Sequence, residues 1–211
     1  NTVYVAKLGA NGEPRLWHPT NPNQSSWVYW YKDADLTSPR ADFTATAYNN
    51  RLYLIGGMTT GGVVSTVQIS DISPTGTLGS WTNSTSLPSN LYGHGAAIYN
   101  DRIYTVGGAS SVGSQPLTNV RYNKINADGS LNNWVDTTLL PEGRLTGGGT
   151  MSAVWGAYLY ISGGCGTVNA SGYCTAVRSD VELASINADG SLDKWNTVGT
   201  AFDERLAGNL I

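Results

Sequence analysis

The stretch Gly95-Ala96-Ala97-Ile98-Tyr99-Asn100-Asp101-Arg102-Ile103-Tyr104-Thr105-Val106-Gly107-Gly108 decides the fold, together with Val120-Arg121-Tyr122-Asn123-Lys124-Ile125-Asn126-Ala127-Asp128-Gly129 and the Trp134 that trails it. A strand of small residues meets a polar turn. A β-branched and aromatic strand follows and ends in two glycines. The later run alternates apolar and polar side chains at the strand period of two. Asp128-Gly129 then signals a hairpin, because glycine takes positive φ with no Cβ clash.

Working outward, both halves recur. The later half returns as Val3, Val5, Leu8, Gly12, Trp17; as Val67, Ile69, Ile72, Gly76, Trp81; and as Val181, Leu183, Ile186, Gly190, Trp195. In every copy the Gly stands five residues before the Trp. The earlier half returns at 44–57, ending in Gly56-Gly57, and at 152–164, ending in Gly163-Gly164. A fourth copy opens at Arg205 and stops at Ile211. The small residues of the first strand suit a crowded central axis. The double glycine suits a point where a neighbouring backbone comes close. The Trp, on the returning strand, offers a large apolar area to cover the next unit.

Composition agrees. Among 211 residues there are 26 Gly, 22 Thr, 20 Ser and 18 Asn, and charged residues make up only 13%. That share is about half of the roughly 25% in an ordinary soluble domain, which excludes a coiled coil. A net charge of −3 argues against nucleic acid as a partner, and 7 Trp with 12 Tyr argue against a disordered tail. No apolar run is long enough to span a membrane. The chain opens at Asn1 without a charged-then-apolar leader, so it reads as a processed product or a fragment.

Four-stranded units repeating at about 50 residues are the signature of kelch-type blades. Gly56-Gly57, Gly107-Gly108 and Gly163-Gly164, with Trp81, Trp134 and Trp195 behind them, resemble the double glycine and trailing tryptophan of the kelch family. The resemblance covers nearly the whole chain and is similar to a variant of bacterial secreted or surface proteins. It departs at Pro74, Ala127 and Ala188, where kelch repeats usually carry an aromatic. The resemblance implies an all-β, kelch-type propeller. The division is a partial blade with a long connection at 1–40, blades at 41–90, 91–143 and 144–200, and the first strand of another at 201–211. Three full blades and two partial ones do not close a ring. The chain therefore reads as part of a propeller of six to eight blades. The alternative is a ring that tolerates a three-stranded blade or is completed by another chain, and an open edge invites self-association.

In an up-and-down propeller the uneven loops share one face. These are 58–66, 109–118 and 165–179 in one set, and 82–92 and 135–149 in the other. Variable loops on a rigid scaffold are where binding usually resides. Cys165 and Cys174 close one short Gly-rich loop. They read as a disulfide, which places the protein outside the reducing cytosol, extracellular or at a cell surface. The alternative is two free buried thiols. No metal is expected there, since no His or further Cys lies nearby.

Three candidate binding features follow. Trp27, Tyr29 and Tyr31 share one side of an extended segment and could stack on a sugar or pack across an interface. Arg40, Arg144 and Arg205 each precede an inner strand, and Leu91 breaks the series. Three arginines at a propeller mouth resemble the carboxylate clamp of sialidases, with repeat-derived structural arginines as the plainer account. A galactose-oxidase-like copper site would need more histidines than His18 and His94. No catalytic group, cofactor or metal is assigned. The expectation is a non-enzymatic module that engages protein or glycan through the long-loop face. The alternative is the propeller portion of a carbohydrate-active enzyme whose catalytic groups lie outside this segment.

Overall fold

The computed structural model describes residues 2–8, 14–15, 31–146 and 152–199. Among them there is no helix, and hence no helix that could cross a membrane. Three four-stranded antiparallel sheets follow one another along the chain, each with its strands in simple succession. Blade 1 consists of Thr44–Tyr48, Arg51–Ile55, Val67–Asp71 and Thr82–Ser84. Blade 2 consists of Gly95–Tyr99, Arg102–Val106, Val120–Lys124 and Val135–Asp136. Blade 3 consists of Ser152–Trp155, Tyr158–Ser162, Val181–Ser185 and Asn196–Gly199. Ahead of them Val3–Val5 pairs with Tyr31–Asp33, and Lys7–Leu8 pairs with Pro14–Arg15, as a half-blade.

Turn chemistry accounts for the composition. Asn49 and Asn50 both have positive φ (46° and 57°), as do Asn100 and Asp101 (43° and 60°). That is the demand of a two-residue type I′ hairpin, which Asn and Asp tolerate. In blade 3 Gly156 alone is positive, at 57°, as the first position of a type II′ turn requires. The outer turns differ. Gly129 N donates to Asn126 O at 2.9 Å, and Asn126 N donates to Ser130 O at 2.9 Å. This is a type I turn closed by a left-handed glycine bulge, with φ of 82° at Gly129. Asp128 accepts from Ser130 N at 3.0 Å and Ser130 Oγ at 2.7 Å. Residues 187–191 repeat the arrangement.

The tryptophans correct two expectations. They do not sit within the returning strand. Bridges Ile72↔Leu78, Ile125↔Leu131 and Ile186↔Leu192 close the hairpins, and the ladder resumes just past each Trp. They also cover the preceding unit rather than the next. Trp81 Nε1 donates to Ala34 O at 3.1 Å, Trp134 Nε1 to Thr85 O at 3.2 Å and Trp195 Nε1 to Thr138 O at 3.0 Å. Each acceptor precedes its indole by about one repeat. The chain leaves the ladder to turn the indole backward, where a side chain of this size buries about 150–250 Å². At about 25 cal/mol per Å² that is several kcal/mol per joint.

The core lies between blades. One cluster joins Tyr104, Val106 and Val120 of blade 2 to Leu159, Ile161, Ala184 and Trp195 of blade 3. Another joins Tyr53, Ile55 and Val67 of blade 1 to Ile103, Ile125 and Leu131 of blade 2. The double glycines stitch the same joints. Gly57 N donates to Leu91 O at 2.8 Å and Gly108 N to Arg144 O at 2.7 Å. A Cβ on Gly56 would lie 2.3 Å from Leu91 O, so glycine is obligatory there. On the outer side Tyr53 OH donates to Gly129 O at 3.0 Å, and Tyr104 OH donates to Gly190 O at 2.9 Å. The sheets of the described residues do not close. Tyr48 and Tyr99 pack against the following blade, while Trp155, their counterpart in blade 3, is 76% exposed.

Candidate functional site

The two ends of the blades differ. One carries the near-identical turns just described. The other carries the uneven loops, two of which are hairpins in their own right. Met58–Thr59 pairs with Gly62–Val63, and Cys165–Val168 pairs with Cys174–Val177 across the Cys165–Cys174 disulfide. The disulfide hairpin is tied to blade 2, because Gln115 Nε2 donates to Val168 O at 2.8 Å. Loops 82–92 and 135–149 each begin with the outermost strand, so they are shorter than the sequence suggested.

At this end the chain enters each inner strand through matching backbone bridges, Ala41↔Met58, Tyr92↔Ala109 and Leu145↔Cys165. Successive blades are linked there too. Gly93 N donates to Asp42 O at 2.9 Å, and Thr146 N donates to Gly93 O at 2.8 Å. A cleft of about 300 Å³ opens over these links, lined by Asp42, Met58, Tyr92, Leu145, Val168 and Tyr173 among others. Its floor is an apolar cluster of Tyr92, Ala109, Leu145, Cys165 and Val168. Val112 and Tyr173 stand on its rim, 57% and 72% exposed. Asp42 has a left-handed backbone, φ 52°, and among the described residues is the only charged one on the walls. Burial first, and the Asp42 charge second, push the Tyr92 phenol above its ordinary range.

Of the three arginines, the two that are described, Arg40 and Arg144, are engaged within their own blades. Arg40 turns into its own blade, donating to Gly56 O at 3.1 Å and Thr66 O at 3.4 Å. Arg144 is fully buried and donates to Gly163 O at 3.1 Å. It also grips Asp180 through two nitrogens, at 2.9 and 2.5 Å, and lies 3.1 Å from Glu182. Burial raises Asp180, but the hydrogen bonds and charge of Arg144 outweigh it, so the carboxyl is held below the usual range. Burial, with Asp180 beside it, leaves Glu182 above the usual range despite Arg144. Leu91, at the matching place in blade 2, sets its side chain against Gly108. Trp17, Trp27, Tyr29 and Arg205 lie outside the described residues. Tyr31 opens the outer strand Tyr31–Asp33 of the half-blade, opposite Val5.

Asp42 escaped the sequence reading, and His94 entered it only in weighing a copper site. Asp42 occupies the repeat position of Gly93, which is also left-handed at φ 56°. A side chain at a position the sister repeat gives to glycine was the available signal. His94 is fully buried, with Nε2 2.7 Å from Thr44 Oγ1. Burial lowers its pKa to about 3, so it is neutral. Among the described residues no group of His, Cys, Asp and Glu gathers in a way that could hold a metal.

No family model matches the chain. Kelch-like protein 36 of Rattus norvegicus is 32% identical over 100 residues, 47% of this chain and 15% of that protein. Beta-scruin of Limulus polyphemus is 28% identical over 141 residues, 64% of this chain and 15% of that protein. The solved structure of YjhT superposes with a TM-score of 0.60 at 20% identity, over 79% of this chain and 48% of that one. The chain resembles kelch-repeat proteins in sequence and has the kelch-type propeller fold. It spans 15% of the length of the curated relatives it matches, and its kelch blades cover about half of the YjhT structure. The double glycines and trailing tryptophans are thus kelch elements, and the cleft lies at the uneven end of a kelch propeller.

Proposed function

We propose that this kelch chain is a non-enzymatic binding module, working outside the reducing cytosol, whose uneven-loop end engages a protein or glycan ligand. The observation that carries this is the contrast between the two ends. Outer turns 126–130 and 187–191 are spent on hydrogen bonds within and between blades. The other end holds an apolar cleft with exposed Val112 and Tyr173 at its rim. Concave apolar sites with a few placed polar groups are where ligands bind. The disulfide in the rim supports an oxidising compartment. The two described arginines of the suggested carboxylate clamp are occupied by backbone carbonyls and, at Arg144, by carboxylates. That favours binding over a sialidase-like reaction here.

The test is a glycan array and a protein-capture screen run with the wild type, a Val112→Lys/Tyr173→Lys pair and an outer-turn control, Asn187→Ser. Binding lost in the pair and kept in the control supports the reading. Ligands that ignore the rim pair and respond to the outer-turn change overturn it.

A further inference from the structure

The chemistry of the cleft narrows what it accepts, on the reading that the uneven-loop end binds ligand. We infer that the cleft takes an organic cation: an ammonium or guanidinium group on an apolar stem, with Asp42 as its counter-ion.

Four observations converge. First, the walls are apolar where they are deepest, built from Tyr92, Leu145, Val168 and the disulfide. A stem of methylenes or an aromatic ring gains burial there. Second, among the described residues Asp42 is the only charge lining the cleft, and none of them on its walls is a Lys or Arg. Third, the Asp42 carboxylate has no hydrogen-bond or ion-pair partner among the described residues, although the surface aspartates Asp71, Asp101 and Asp136 all have one. Fourth, Asp42 is held in the left-handed region at φ 52° by the Gly93 N–H on its carbonyl. Blade 2 meets the same backbone demand with glycine, where a Cβ would lie 2.5 Å from Leu145 Cδ1. Blade 1 therefore places a carboxylate at a position where the repeat needs none. A half-buried carboxylate over an apolar floor favours a desolvated cation and repels an anion. The rings of Tyr92 and Tyr173 add faces on which a cation can rest.

The probes are hexylammonium, 1-hexanol and hexanoate, matched in stem and differing in charge, plus a blocked glycyl-lysyl-glycine peptide. Binding is followed by amide chemical shifts of residues 42, 92, 145 and 173. The wild type is expected to bind hexylammonium at least tenfold more tightly than hexanol, with no shift from hexanoate. Asp42→Asn is expected to abolish that preference. Asn adopts the left-handed conformation readily, so the variant keeps the fold. The lysyl peptide tells a side chain on a protein partner from a free amine, and a response to either supports the inference. Hexanol or hexanoate binding the cleft as tightly as hexylammonium overturns the cation inference and leaves the binding end standing. An unchanged preference in Asp42→Asn overturns the role of Asp42. Silence from all four probes overturns both the cation and the cleft.

Discussion

Arg40 and Arg144 stand at the same repeat position, and both donate to the first glycine of their own blade's pair. Their surroundings then diverge. Blade 3 places Asp180 and Glu182 around the guanidinium and buries it completely. Blade 1 has Thr66 and Gln68 at those two positions, so among the described residues Arg40 meets only backbone carbonyls and Ser38 Oγ. Burial without a counter-charge lowers the Arg40 pKa. The shared element is a cation capping the carbonyl that a left-handed glycine pair leaves exposed. The carboxylates are an addition. A repeat position thus has one backbone duty and, independently, one electrostatic setting.

Arg144→Met breaks the comparison hardest. It leaves two carboxylates facing an apolar side chain, which costs about 3–5 kcal/mol for a buried pair broken on one side. Arg40→Met loses hydrogen bonds to carbonyls and strands no charge, so about 1–2 kcal/mol is expected. Urea midpoints of the two variants measure the gap. Equal losses would mean that the carboxylates add nothing.

Blade 2 is the third member, with Leu91 at the arginine's place and neutral His94 three residues on. The folded pKa of His94 is about 3, against about 6.5 unfolded. Below pH 6.5 the unfolded chain binds a proton that the native chain refuses. Stability therefore falls by about 1.4 kcal/mol per pH unit until the folded pKa is reached. Between pH 6.5 and 4.5 that amounts to about 2–3 kcal/mol. His94→Gln keeps an amide toward Thr44 and is expected to flatten the dependence in that window. A variant with the wild-type slope would sink the assignment.

How far this was legible depends on what carried each feature. Gly56-Gly57, the Asn126–Ser130 turn and the Trp spacing express backbone demands, which repeat in every copy and so appear in the sequence. Even there the direction of packing was hidden, because spacing alone cannot tell whether Trp195 faces forward or back. The arginines were found by position, but not their purpose. The Asp180 that engages Arg144 lies 36 residues away, just ahead of the strand Val181–Ser185. The cleft was invisible, since Asp42, Tyr92 and Tyr173 come from three loops that only the blade stacking brings together.

The joints between blades predict a smaller and more uniform effect. Tyr53 and Tyr104 each donate one hydrogen bond to a turn glycine of the next blade. Tyr53→Phe and Tyr104→Phe are each expected to cost about 1 kcal/mol, since one neutral bond is lost and little shape changes. The same loss at both joints, read from thermal or urea unfolding, would mark them as one device used twice. A large difference would assign the joints to packing.

Thr66→Asp gives the smallest effect and the finest test. It moves the Asp180 setting into blade 1, beside a guanidinium that already reaches the Thr66 carbonyl. The Thr66 hydroxyl is buried without a partner, so its replacement forfeits no hydrogen bond. A new pair at a half-exposed arginine is worth up to about 1 kcal/mol after solvent screening. The gain is expected to shrink with added salt. It is also expected to vanish in acid, because an aspartate stabilised by a cation has its folded pKa below the unfolded one. Its contribution is present above the unfolded value and is lost as pH falls through the folded value. A gain indifferent to both salt and pH would come from something other than the pair, and the electrostatic half of the comparison would fall.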